Sequence, residues 1–514
     1  MSLSDDRTDS LNPLTPIIAS RSQKEPHKAS FIILQYELKK SSNQIPLLVT
    51  SFCEGSITLT QGGLIMSKKR ILLAFLSIII VFQGSHALAQ EARARWEMLN
   101  LIRKEKFDLI LPQAMRDNKI DMWIHVIRDG NPDALFLDLS WTFLSGRTAY
   151  FIFTDRGGDR IERAILGGYG KSDVYDIFGA EKDLRKFVAA RDPKRIAVNF
   201  SEGLAVADGL SYTGYLKLVD MLGEKYAKRL VSAENVITDF RVRRVQTEII
   251  AFAKACEIQR RIMEKCLKSI KPGLTKREDI DWWAQEQLMT LGLECFTYGG
   301  VMVGILHSEV SKHSETRKPG YIIQRGDLIS WDLGIKYLNF GTDYKRHAYI
   351  LREGETAVPA GVQHAWDRGM KAREVIRKTI KVGFTAGETL KALVSALEKA
   401  GYVYTLFTDI GPKDRELINS LGDSEKSGIS IDCHCVGNTG EGNVASGPSI
   451  APFRKERAHL KIQPNNLFAF EFVVHTWVPE WGIRFRLNLE DDAIVTEKGV
   501  EFLYPPNKKI ILIR

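Results

Sequence analysis

Apolar residues recur with a helical period over 101–118 (Leu101, Ile102, Phe107, Ile110, Met115), and Pro112 predicts a break inside that helix. Two short apolar runs, 121–126 and 148–154, read as strands. A helix around 182–190, a strand over 195–200 and a helix over 212–222 complete an α/β rhythm. From about Asp239 the rhythm changes to two helices followed by strands, and it does so twice. The first pass has a long helix ending near Ile270, a break at Pro272-Gly273, and a capping box of Thr275 with Glu278 that should open the next helix. Strands follow from Asp327. The second pass has helices near 360–381 and 386–400 and strands from about Leu467, so the pattern predicts an internal twofold repeat of roughly 110 residues.

One segment belongs to no folded element. Residues 66–90 read MSKKRILLAFLSIIIVFQGSHALAQ. Lys68, Lys69 and Arg70 precede an apolar stretch from Ile71 to Phe82, and Ala87-Leu88-Ala89 supplies the small residues of a signal-peptidase site. The run is shorter than the about 20 residues that span a bilayer. The expectation is therefore a signal peptide over 66–89, cleaved after Ala89, with a periplasmic or secreted product and no membrane anchor. Residues 1–65 then read as a misassigned N-terminal extension, 90–238 as an N-terminal α/β domain and 239–514 as a second, α+β domain.

Composition narrows this little. With 26% charged and 44% hydrophobic residues, the 514-residue chain has the profile of a soluble globular protein. The net charge of +9 is spread along the chain, and the Arg241–Arg244 run is interrupted by Val242, so no nucleic-acid partner is expected. The six cysteines, at 53, 256, 266, 295, 433 and 435, form no CxxC pair, which indicates neither a zinc ribbon nor a disulfide scaffold.

Candidate chemistry comes from carboxylates inside apolar strands: Asp332 in LISWDLGI, Asp343 in GTDYKRHAYI, Glu471 in LFAFEFVV and Glu490 in LNLEDDAIV. A buried carboxylate needs a partner, and an Arg or Lys salt bridge would suffice for any one of them. Asp332 and Asp343 are symmetric about Tyr337-Leu338, and Glu471 and Glu490 about Glu480-Trp481, so two hairpins would set each pair face to face. Like charges so placed call for a cation, and two metal ions need such bridging carboxylates. His434, in IDCHCVGNTG between the pairs, could add a nitrogen ligand. Cys433 and Cys435 flank it, but on a strand their thiols face away from the imidazole.

The order Asp, Asp, His, Glu, Glu, carried by GDLISWDLG, TDYKR, the His434 segment ending GPSIAP, FEF and LEDDAIVTEKGVEFL, resembles the pita-bread metallopeptidases: methionine aminopeptidase, prolidase and aminopeptidase P. The resemblance covers about Asp239 to Tyr504, and the upstream domain is similar to that of the prolidase and creatinase branch. It implies a twofold catalytic domain with two divalent ions. Asp332 would bind one ion, Asp343 and Glu490 would bridge, and His434 with Glu471 would complete the other. The oxygen-rich set suits manganese best, with cobalt, zinc or iron as alternatives. It further implies an Xaa-Pro aminopeptidase or dipeptidase acting on peptides, with Glu471 carrying the proton and a dimeric assembly. An upstream histidine, His313 by position with His307 as the fallback, would stabilise the tetrahedral intermediate.

This chain departs from the pattern at three places. Glu441 or Val444 stands where a second histidine is usual, Phe472 replaces a proline, and Asn488 replaces an arginine. Those changes put proline preference in doubt. Two rivals remain: an amidinohydrolase on the same fold, which works without these ligands, and a non-catalytic peptide-binding protein. His475, four residues beyond Glu471 on the same face, is a candidate for a remote subsite.

Overall fold

The computed structural model describes residues 90–140, 147–168, 173–296, 302–406, 411–440 and 446–514. The expected extension, the signal segment and positions 441 and 444 lie outside the described residues. The first helix starts at residue 90, earlier than the periodicity suggested, and runs to Asp117. A wide π-type turn, Lys106–Ile110, directly precedes Pro112. Pro112 has no N–H to give to the preceding turn, and the wider turn absorbs the defect without ending the helix.

Six strands follow: β1 (Met122–Arg128), β2 (Thr148–Thr154), β3 (Glu162–Leu166), β4 (Ile177–Gly179), β5 (Ile196–Val198) and β6 (Leu230–Ser232). They form one sheet in the order β4-β3-β2-β1-β5-β6. The β1–β2–β3 meander is antiparallel, while β5 and β6 add in parallel through helical crossovers. Alternation along β1 divides the residues between two cores. Trp123 and Ile127 pack with Phe107, Met115 and Phe240 on one face, whereas Met122, Ile124 and Val126 pack with Val188, Leu218 and Leu222 on the other. Both faces are covered, so the strands are buried almost continuously.

The second half shows the twofold rhythm. Helices Gln246–Ser269 and Arg277–Thr290 precede strands Met302–His307, Asp327–Leu333 and Tyr344–Ile350. Helices Ala360–Thr379 and Ala386–Lys399 precede strands Ser427–Ile431, Phe472–Val478 and Ile483–Leu489. Each set forms a four-stranded sheet with three antiparallel strands and one parallel edge strand, Ile511–Ile513 in the first and Tyr402–Tyr404 in the second. Each helix pair packs mainly on its own strands, in two cores, and Leu328 and Tyr349 of the first sheet join the core of the second pair. The strands Met302–His307 and Ser427–Ile431 were not anticipated from the pattern.

Two local expectations need correction. The capping box is not Thr275 with Glu278: the helix starts one residue later, and Asp279 Oδ2 accepts from Lys276 N at 2.7 Å. Glu278 instead accepts from Gly320 N, and Thr275 Oγ1 from Lys271 N. The second correction is the register of the aspartate hairpin. Its turn is Leu338-Asn339, between paired Tyr337 and Phe340, with Leu338 at φ +57°. Asp332 therefore faces Lys345, and Asp343 lies diagonal to Asp332 on the same face.

Candidate metal centre

Three segments bring the carboxylates together. Asp332 is the last but one residue of the Asp327–Leu333 strand, and Asp343 precedes its partner Tyr344–Ile350. Glu471 and Glu490 lie on the long hairpin that turns through Pro479–Trp481, where Phe472 pairs with Leu489 and Ala469 with Asp492. That register, running through both ladders, puts Glu471 opposite Glu490. His434 sits on the short strand Cys433–Cys435, between Ser449 and Ala469. Lys345 N donates to Glu490 O at 3.2 Å and Asp343 N to Asp492 Oδ2 at 3.0 Å, which stitches the two hairpins edge to edge.

Within this frame, Asp343, His434 and Glu490 bring one ligand atom each to within 4.8 Å of one another. Asp432, His434 and Glu471 do the same, sharing the imidazole. His434 Nε2 and Asp343 Oδ2 are 4.0 Å apart, too far for a direct hydrogen bond and near enough to close on one ion. His434 Nδ1 lies 3.1 Å from Cys435 O, which can only accept, so Nδ1 carries a proton and Nε2 is the ring nitrogen on the side of Asp343. Among the described residues, nothing hydrogen-bonds the buried Oε1 of Glu490. Acidic oxygens, one imidazole and an orphaned carboxylate oxygen fit a divalent cation.

Lys345 is the feature the sequence reading missed. Its Nζ lies 3.1 Å from Asp332 Oδ2 and 3.0 Å from Glu471 Oε1, and it also contacts Glu490 Oε2. Burial alone would depress its pKa, but Glu471, Glu490, Asp332 and Asp343 outweigh that and hold it well above the usual lysine range. Burial, reinforced by the neighbouring carboxylates, pushes Asp343 and Glu490 well up. Burial also acts to raise Glu471, yet Lys345, His434 and the amide of Asn488 together lower it. Asn488 Nδ2 donates to Glu471 Oε1 at 2.8 Å, which gives this departure from the family pattern a definite contact.

Two further groups went unread. Asp432 forms an ion pair with Arg454 beside the centre. Asp492 receives the Asp343 amide on one oxygen, so the acidic triplet 490–492 turns one carboxylate to the centre and another beneath it. A period-two reading of the strand would have found Lys345, which lies two residues from Asp343 and on its face.

His313 is not among the groups of the two ligand triads or those that meet Lys345. It follows the strand Met302–His307, and its Nε2 bonds His307 O at 2.7 Å. His307 pairs with Asp327, five residues along the strand from Asp332, or roughly 16 Å away. His307 itself is buried, and its Nδ1 accepts from Glu309 N. Counting residues upstream cannot fix where the chain lies; the hairpin register does. His475 is also buried, opposite Arg486, and burial first, then the charges of Arg486 and Arg484, depress its pKa to about 3. The thiols of Cys433 and Cys435 are buried, and none of the five described cysteines forms a disulfide.

Residues 251–497 match the model of metallopeptidase family M24. A curated Xaa-Pro dipeptidase from Pyrococcus furiosus is 23% identical over 317 residues, which is 60% of this chain and 76% of that protein. The solved X-Pro aminopeptidase from Thermotoga maritima superposes with a TM-score of 0.54 at 18% identity, over 78% of this chain and 100% of its own. The Xaa-Pro dipeptidase from Bacillus anthracis superposes with a TM-score of 0.50 at 16% identity, over 80% and 100%. The structural likenesses span both halves of the chain and carry the fold; the family match covers the half that holds the carboxylates. Residues 251–497 therefore form a domain that matches metallopeptidase family M24, and the fold, an N-terminal α/β domain followed by a pita-bread domain, is like that of the solved Xaa-Pro peptidases.

Proposed function

We propose that this chain is an exported, metal-dependent peptidase of the Xaa-Pro type, an aminopeptidase or dipeptidase that cleaves the N-terminal bond of peptides. The observation that carries this reading is the triad Asp343, His434 and Glu490, with an orphaned buried carboxylate oxygen, inside an M24 domain. Manganese is the ion we assign, because the donors are mostly carboxylate oxygens. An ion held there supplies Lewis acidity to a scissile carbonyl. Asp343 and His434 are the partly exposed members of the centre, with side chains 27% and 13% exposed, so approach to it is on their side.

Glu471 is the proton carrier in this reading. Lys345 and Asn488 donate to its Oε1, which keeps it ionised and ready to accept a proton. Export rests on the 66–89 pattern of basic, apolar and small residues. A second reading, a peptide-binding protein that keeps the fold without catalysis, draws support from the lysine lodged among the carboxylates.

The two readings separate on a substrate panel. The purified mature protein, with added manganese, is given Xaa-Pro and Xaa-Ala dipeptides and longer peptides. Release of the N-terminal residue, fastest before proline, is the expected result. Peptide binding without release at any length would favour the second reading.

A further inference from the structure

The centre already holds a cation that belongs to the chain. Lys345 stands directly across the ladder from Asp332, and three carboxylates from three strand ends converge on its Nζ: Asp332 Oδ2 at 3.1 Å, Glu471 Oε1 at 3.0 Å and Glu490 Oε2. Its backbone N–H is tied to Glu490 O, and its side chain is only 10% exposed. The stem is thus fixed by the sheet, and the head has little open water to withdraw into. A metal ion bound by the same oxygens would lie at about 2.0–2.2 Å from them. It would then crowd the ammonium, and two cations cannot share that space.

Glu490 divides its two oxygens between different partners. Oε2 meets the ammonium, whereas nothing among the described residues hydrogen-bonds the buried Oε1. A buried acceptor left unmet is costly, so its surroundings matter. Asp343 and His434 stand within ligand range of this carboxylate, and their own atoms are 4.0 Å apart, too far for a direct bond and near enough to close on one ion. The charge pattern agrees. Four carboxylates against one ammonium leave a surplus of negative charge that a single divalent ion nearly cancels.

We propose that Lys345 Nζ occupies one of the two cation positions of this centre as a built-in substitute for a metal, and that the protein takes one divalent ion, held by Asp343, His434 and Glu490. Asp332 then serves the ammonium and not the ion. The inference rests on the reading of the centre as a metal site and narrows it from two ions to one.

Metal counting tests it without reference to activity. The full mature protein is stripped with chelator, reloaded with manganese and dialysed, and ions per chain are counted by elemental analysis and native mass spectrometry. The wild type should hold one. Asp332→Asn should still hold one, and Lys345→Met, expressed and reloaded in manganese, should hold two. Two ions in the wild type would overturn the substitution while leaving the peptidase reading intact. No ion in the wild type would overturn both. Loss of the ion in Asp332→Asn would make Asp332 a metal ligand and end the proposal, and this variant decides the matter even where Lys345→Met does not fold. A folded Lys345→Met protein with one ion would equally contradict it.

Discussion

Glu490 and Lys345 set the character of the centre residue by residue. One carboxylate offers an oxygen to an ammonium and the other to an open ligand position, so a two-atom group decides which cation goes where. Asp332, Asp343, Glu471 and Glu490 were legible in the sequence because an ionisable group inside an apolar strand needs a reason. Lys345, in YKRHAYI, sits in the same apolar strand, so the same grounds applied to it, and it went unread. His313 was not legible: its place depends on the path of a loop that residue counting does not determine. Asp343 is the residue whose loss should show most clearly. Asp343→Ala removes a ligand and leaves Glu490 beside an incomplete site. Metal affinity should fall by more than the about 10–100-fold typical of a supporting residue, with manganese titration calorimetry as the measure. Unchanged affinity would remove Asp343 from the ligand set.

Two hairpins of similar design met different fates at the scale of elements. The long one, closing through Pro479–Trp481 and Gly482, keeps the symmetry read from VPEWG, and Glu471 falls opposite Glu490. The other turns at Leu338-Asn339, one position later than the apparent centre. Leu338 takes a positive φ that its residue type does not advertise, and Asn339 is held through its amide by Asp138, far away in sequence. That contact is tertiary, so the turn could not be placed from local pattern. Helix starts show the same contrast. The reciprocal cap expected at Thr275 occurs instead at the matching helix of the second repeat, where Thr385 Oγ1 accepts from Glu388 N and Glu388 Oε2 from Thr385 N. Thr385→Ala should cost about 1 kcal/mol in denaturant unfolding. A change indistinguishable from zero would mean that the cap is replaced by solvent.

The two halves of the molecule are joined by buried charge. Helix Glu234–Val242 crosses the boundary expected at 238/239, and Arg241 at its end pairs with Asp138 of the first half at 2.7 Å, with both side chains nearly fully buried. Asp138 also accepts from Asn339 of the second half. Arg243 meets Asp117 and Asp239, and Arg244 meets Glu248, so the basic run noticed in the sequence is paired inside the protein. Asp138→Ala takes the carboxylate from a buried guanidinium and should destabilise the protein by about 3–5 kcal/mol, measured by chemical unfolding. The twofold rhythm was legible because helix pairs with strands recur at even spacing, whereas the short edge strands carry too little pattern to be read. Export belongs to this scale as well: intact-mass analysis of protein recovered from the periplasm or medium should give an N-terminus at Gln90, and a cytoplasmic chain still carrying 66–89 would contradict it. A metal-dependent peptidase works only when its centre is loaded, and the initial rate of Xaa-Pro hydrolysis by metal-stripped protein, as manganese is added back, tests this. Hydrolysis should be absent without metal and rise saturably with it; a rate indifferent to stripping and addition, or none at any manganese concentration, would rule the peptidase out.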